Sequence, residues 1–133
     1  MSELNEDAKQ VDLLSTFHYV MGGLTALGAC IPFVHVFMGL LMTQGSFFNV
    51  PEGDMPPPMF GWLFVVLGLF AILCGWAIAI SMIIAGKKLK ERKSRIFCMV
   101  VAGIECMFMP LGTVLGVFTL IILNRDSVRE LFK

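Results

Sequence analysis

No polar stretch in these 133 residues is long enough to close around a core in water, so an aqueous domain is excluded. The chain also lacks the basic opening of a secretory signal. Its first charges are mostly acids: Glu3, Glu6, Asp7 and Asp12. The first apolar run is too long for a signal's apolar segment as well, so it is expected to remain as a transmembrane helix. No Asn-x-Ser/Thr sequon occurs, and nothing points to a glycosylated surface. Walker, GxGxxG and HExxH motifs are missing, and no nucleophile stands with a base. Catalysis has no support in such a sequence, and the chain reads as a non-enzyme with no cofactor. Its four cysteines, Cys30, Cys74, Cys98 and Cys106, match no zinc spacing. All lie inside apolar runs rather than in loops that a disulfide could staple. They read as small apolar side chains.

What the chain has is hydrocarbon. It is 57% hydrophobic with a mean hydropathy of +0.83, where soluble domains are roughly 45–50% apolar. The excess falls in three long runs, the mark of membrane helices. Formal net charge is zero, yet six of the ten Lys and Arg are Lys87, Lys88, Lys90, Arg92, Lys93 and Arg95. So local a patch, beside an apolar run, suits anionic lipid headgroups rather than nucleic acid.

Residues 1–12 form a polar N-terminus. The first span is expected over 13–42. As one helix it would rise about 45 Å, more than the ~30 Å hydrocarbon core, so it must tilt, bend or enter the headgroups. Pro32 is the bend site, because it removes a backbone donor and crowds the preceding turn. Residues 43–59 form a proline-rich loop without Lys or Arg, with Phe47-Phe48 placed to dip into the interface. The second span covers 60–85, and Gly86 ends it before the basic loop 86–95. The positive-inside rule puts that loop in the cytoplasm, the 43–59 loop on the other side and the N-terminus in the cytoplasm.

The third run, 96–123, admits two readings. One is a single helix kinked at Pro110. The other is a pair of short membrane helices, 96–109 and 111–124, broken at Pro110-Leu111-Gly112, which carry the amphipathic tail 125–133 back to the cytoplasm. Pro-x-Gly turn chemistry and the basic tail favour the hairpin. Small residues recur at four-residue spacing: Gly22, Ala26 and Cys30; Ala71, Gly75 and Ala79; Cys98, Ala102 and Cys106; then Gly112 and Gly116. Such stripes let helix backbones approach in lipid, within one copy or between copies.

Glu105 is the one acid inside an apolar run. A bare carboxylate there is costly, so it should be protonated, paired, or turned toward water or protein. The spans offer it no evident relay partner, because His18 and His35 read as interfacial residues near opposite ends of the first span. Cys98, Cys106 and Met107 are weak candidates for soft-metal binding of the Cu(I) type.

The segment Pro110-Leu111-Gly112-Thr113-Val114-Leu115-Gly116-Val117-Phe118-Thr119-Leu120, followed by Val128 and Leu131-Phe132, resembles a C-terminal signature of small bacterial membrane proteins. The pattern is roughly Pro-x-Gly-Thr-x-Leu-Gly-x-x-x-Leu with a charged tail. The resemblance implies a bacterial inner-membrane protein with three or four membrane helices, and it implies no activity. The expected fold is an all-α membrane bundle of two full transmembrane helices plus a proline-broken hairpin, with both termini cytoplasmic. The leading expectation for function is a non-enzymatic subunit that joins a homo-oligomer or a larger membrane complex among lipids. The alternative is proton, ion or small-solute conductance through an oligomer using Glu105. Copper or thiol handling is a third, weaker reading.

Overall fold

A computed structural model describes residues 2–45 and 57–132. Most of the proline-rich loop, including Phe47-Phe48, and the terminal Lys133 lie outside the described residues. Regular structure among the described residues is entirely helical. The helices are α1 (Ser2–Gly28), α2 (Phe33–Thr43), α3 (Pro58–Lys90), α4 (Arg95–Glu105), α5 (Leu111–Leu123) and α6 (Asp126–Leu131). Two stretches, Asn5–Thr43 and Pro58–Lys90, are long and apolar enough to cross a membrane.

Helix α1 begins well before residue 13, so the polar N-terminus is its first three turns rather than a separate segment. Between α1 and α2 the chain tightens. Cys30 N–H donates to Leu27 O and Ile31 N–H to Gly28 O, three residues back, while Pro32 has no N–H to give. Regular bonding resumes when Val36 N–H donates to Pro32 O at 3.1 Å. Helix α3 opens on Pro58, a position where a missing donor costs nothing. It runs past Gly86 to Lys90, with Lys87, Lys88 and Lys90 in its last turn, where the helix dipole favours cations. The expected stop at Gly86 is therefore interior helix.

The chain divides into two compact units, Met1–Leu24 with Ile78–Lys133, and Thr25–Ala77. In the second unit, residues 29–43, α2 and the turn before it, pack on the first part of α3 along glycines spaced by seven: Gly61, Gly68 and Gly75. A Cβ on Gly61 would lie 2.8 Å from Gly39 O, one on Gly68 2.7 Å from a Val36 methyl, and one on Gly75 2.7 Å from Ala29 Cβ. Ala71 and Cys30, from the expected four-residue stripes, are exposed, and Ala26 is half-buried. The seam follows the heptad period, near two helical turns, rather than the four-residue one.

In the first unit, the chain reverses at residues 106–110, so 96–123 is not one helix. Gly112 and Gly116 lie where a Cβ would collide with the carbonyl oxygens of Glu105 and Ala102. These glycines bring α5 against α4 backbone to backbone. Thr113 Oγ1 donates to Cys106 O at 2.8 Å at the tip, and Arg95 Nε donates to Leu123 O at 2.7 Å at the open end. Val11, Leu14, Leu89, Cys98, Leu115, Leu123 and Val128 form the core that this hairpin shares with α1, the end of α3, and α6.

Burial in this unit is inverted relative to a soluble protein. Helix α4 buries Cys98, Ala102 and Glu105 but turns Ile96, 77% exposed, and Val100 outward. Helix α1 buries Asp7, Ser15 and His18 and exposes Leu13, Phe17 and Val20. Helix α5 buries Gly112, Gly116 and Thr119 and exposes Val114, Phe118 and Ile121. Small and polar groups thus face inward beside the apolar core, and many large apolar ones face out.

Candidate functional site

The inverted burial converges on one pair. His18 comes from the middle of α1 and Glu105 from the last residue of α4, and both are fully buried. His18 Nε2 lies 3.1 Å from Glu105 Oε2. The approach is close without the alignment of a good hydrogen bond, and neither Nε2 nor either carboxylate oxygen has another partner among the described residues.

The other ring nitrogen decides what this contact can be. His18 Nδ1 lies 2.9 Å from Leu14 O. A carbonyl oxygen only accepts, so Nδ1 carries a proton and donates it. One further proton, on either Nε2 or Oε2, would make the contact favourable. Placed on the carboxyl, it makes a neutral pair; placed on the ring, it makes an imidazolium–carboxylate pair. Both arrangements are neutral in sum, and a bare Nε2 facing a bare carboxylate would be repulsive. The contact is therefore favourable only with a proton on one of the two members.

Local structure holds both members. Gly86 lets α1 approach α3 beside the histidine: a Cβ there would lie 3.1 Å from Ser15 O and 3.3 Å from His18 Cβ. Ser15 Oγ donates to Gly86 O at 2.7 Å, which fixes α1 one turn before His18. Glu105 is held because Gly112 packs on its carbonyl as the hairpin turns. Ten residues of α4 separate Glu105 from Arg95, a rise of about 15 Å.

A polar layer closes the end of the unit where Arg95 lies. Arg92 Nη2 reaches Ala8 O at 3.2 Å and Asp12 Oδ1 at 3.4 Å. Arg125 Nη1 meets Asp7 Oδ1 at 3.3 Å, and Ser127 Oγ donates to Asp7 Oδ2. The start of α1, the basic loop and the tail thus gather at one end. Of the six basic residues assigned to headgroups, Arg92 and Arg95 are partly spent on these internal ties. Lys87, Lys90 and Lys93 are exposed and Lys88 is half-buried.

Other candidates separate. His18 is fully buried within the first unit. His35 stacks on Phe64 in the other unit, with ring centroids 6.3 Å apart. Cys98 is fully buried while Met107 is 83% exposed, so the two do not share a soft-metal site with Cys106. No group of three or more His, Cys, Asp or Glu able to hold a metal exists among the described residues. Gly22 and Ala79 meet in the first unit, where a Cβ on Gly22 would lie 3.2 Å from Ala79 O. Sequence reasoning missed His18 as the partner of Glu105. The available signal was the histidine itself, an ionisable residue within an apolar helix.

No protein-family model matches the chain, and no curated protein or solved structure matches it significantly.

Proposed function

We propose that this chain is a small, non-enzymatic membrane protein that serves as a helical subunit, held together inside the bilayer by its His18–Glu105 pair. The carrying observation is the inverted burial. The most apolar windows of the two long helical stretches are only 11% and 22% buried within the chain. Residues such as Leu27, Phe37, Phe70 and Leu73 stand exposed. In water each would forfeit about 25 cal/mol for every Å² of apolar surface, whereas hydrocarbon accepts them. In this reading α1–α2 and α3 cross the membrane of a bacterial cell. The hairpin α4–α5 enters from the cytoplasmic side and returns, and both termini and the basic loop face the cytoplasm. The glycine faces are largely used within the chain, so partners or further copies meet its outer apolar surface. The test is native mass spectrometry after gentle detergent extraction from the membrane fraction. A defined homo-oligomer or a stoichiometric complex supports the subunit reading. Release by salt or alkali without detergent defeats the membrane assignment, and a lone monomer defeats the subunit role.

A second reading is favoured by the proton that this contact calls for. A one-proton site about 15 Å along α4 from the basic loop is suited to passing a proton through an oligomer. This reading requires proton flux in proteoliposomes that Glu105→Gln abolishes while assembly survives. Equal flux in parent and variant, or none in the parent, would end it.

A further inference from the structure

The first unit contains a second site, distinct from the buried pair. Ser94, Arg95, Ile96 and Phe97, at the start of α4, face Arg129 and Phe132 at the end of the chain across a cleft of about 550 Å³. Among the described residues, no carboxylate lines it. Arg95 is fixed before any ligand arrives, because Nε donates to Leu123 O and Nη2 reaches Asn124 Oδ1 at 3.2 Å. A guanidinium held in place loses little freedom when it binds a phosphate. Lys88 adds a third cation at the rim. Its Nζ donates to Ser94 Oγ at 3.2 Å and sits 5.7 Å from the centre of the Phe97 ring. The nearby acid, Asp126, touches Arg129 only at 3.5 Å from an exposed position. Two arginines therefore line the cleft with Ile96, Phe97 and Phe132, Lys88 stands against two of its lining residues, and Ile96 is 77% exposed at the outward apolar surface. Free phosphate would use the cations alone. A phospholipid would use both halves, placing its phosphodiester between the arginines and its chains along Ile96.

We propose that this cleft is a headgroup site for an anionic phospholipid in the leaflet beside the basic loop. The proposal rests on the membrane reading above but can fail without it. The test uses the full chain purified in detergent, titrated with phosphatidylglycerol or phosphatidylcholine of the same acyl chains and followed by native mass spectrometry. Phosphatidylglycerol is expected to remain bound where phosphatidylcholine does not. Lys88→Gln with Arg129→Gln should weaken that retention by at least about tenfold, given the electrostatic worth of each basic residue near a lipid surface. Lys90→Gln with Lys93→Gln removes equal charge outside the cleft and should leave retention nearly unchanged. Arg95 stays intact in both variants because it ties α4 to α5, and matching melting temperatures check the fold. Equal loss in both double variants would show a diffuse basic surface and overturn the site. So would indifference to the headgroup in the parent. Displacement of the lipid by millimolar inorganic phosphate would make the ligand a soluble phosphate and overturn the lipid assignment.

Discussion

His18 and Glu105 meet at 3.1 Å with both side chains fully buried, and through them α1 is joined to the α4–α5 hairpin. Removing either partner leaves the other buried without one. His18→Ala and Glu105→Ala are each expected to lower stability in detergent by about 3 kcal/mol. Glu105→Gln keeps a donor for Nε2 and should cost about 1 kcal/mol or less. Replacing both residues with leucine should cost less than the two alanine variants summed, and an alanine double-mutant cycle should return a coupling of about 1–3 kcal/mol. Thermal unfolding of the parent and the five variants gives the answer. Simple additivity would mean the two side chains are neighbours without being partners.

The need for a proton at the His18–Glu105 contact depends on the His18 tautomer, which can be measured directly. Nitrogen-15 spectra of the histidine rings should show His18 protonated at Nδ1, bonded to Leu14 O and slow to exchange with water. The signal should persist in Glu105→Gln, because the Leu14 bond is independent of the glutamate. An unprotonated Nδ1 would remove the requirement for a further proton on Nε2 or Oε2.

Glu105 was legible from sequence because an acid in an apolar run contradicts its surroundings. Its partner was not. Phe17-His18-Tyr19 has the composition of an interfacial belt, and only the helical start at Ser2 shows that His18 lies about 24 Å along α1. No linear spacing links residues 18 and 105, since the contact depends on where the hairpin folds back. Pro32 and Pro110 were readable as breaks because each removes a backbone donor, a local effect that needs no tertiary knowledge. The small-residue seam along α3 was legible in part: Gly75 and Ala79 lie at close contacts, and Ala71 does not. Four-residue stripes such as Ala71, Gly75 and Ala79 are frequent in apolar helices. Gly61, Gly68 and Gly75 repeat at seven, and choosing between the periods requires knowing which face meets α2.

That seam separates two kinds of glycine. A Cβ on Gly39 would stand 2.6 Å from Gly61 O, a backbone atom that cannot swing aside. Gly39→Ala is therefore expected to destabilise by about 1–3 kcal/mol, as overpacking does. At Gly23 nothing lies within 4 Å of the added carbon. Gly23→Ala should be neutral or stabilise by up to about 1 kcal/mol, through helix propensity and lost unfolded-state freedom. Melting curves in one detergent compare the two. Equal effects would mean the seam between α2 and α3 is looser than the structure has it.

The hairpin's length carries a prediction about topology. Helices α4 and α5 have 11 and 13 residues, which rise about 16 and 20 Å, each short of the ~30 Å hydrocarbon core. A hairpin entering from the Arg95 end must then turn inside the bilayer. Carbonyls freed at such a turn need partners. Thr113 supplies two bonds, from Oγ1 to Cys106 O and from N–H to Phe108 O at 3.2 Å. Met107 and Met109 lie at the tip and are 83% and 85% exposed, so in a membrane they touch lipid rather than water. In a chain with its four native cysteines replaced, M107C and M109C should resist a membrane-impermeant maleimide from both sides and react with a lipid-soluble one. A reporter fused after Lys133 should be active in the cytoplasm. Labelling of position 107 from the outer face by the impermeant reagent would mean the hairpin crosses completely, with the bilayer thinned around it. Thr113→Val should then show little penalty, because water at the outer face would replace the lost bond. With the tip inside hydrocarbon, the same substitution leaves Cys106 O unsatisfied and should cost about 1–2 kcal/mol.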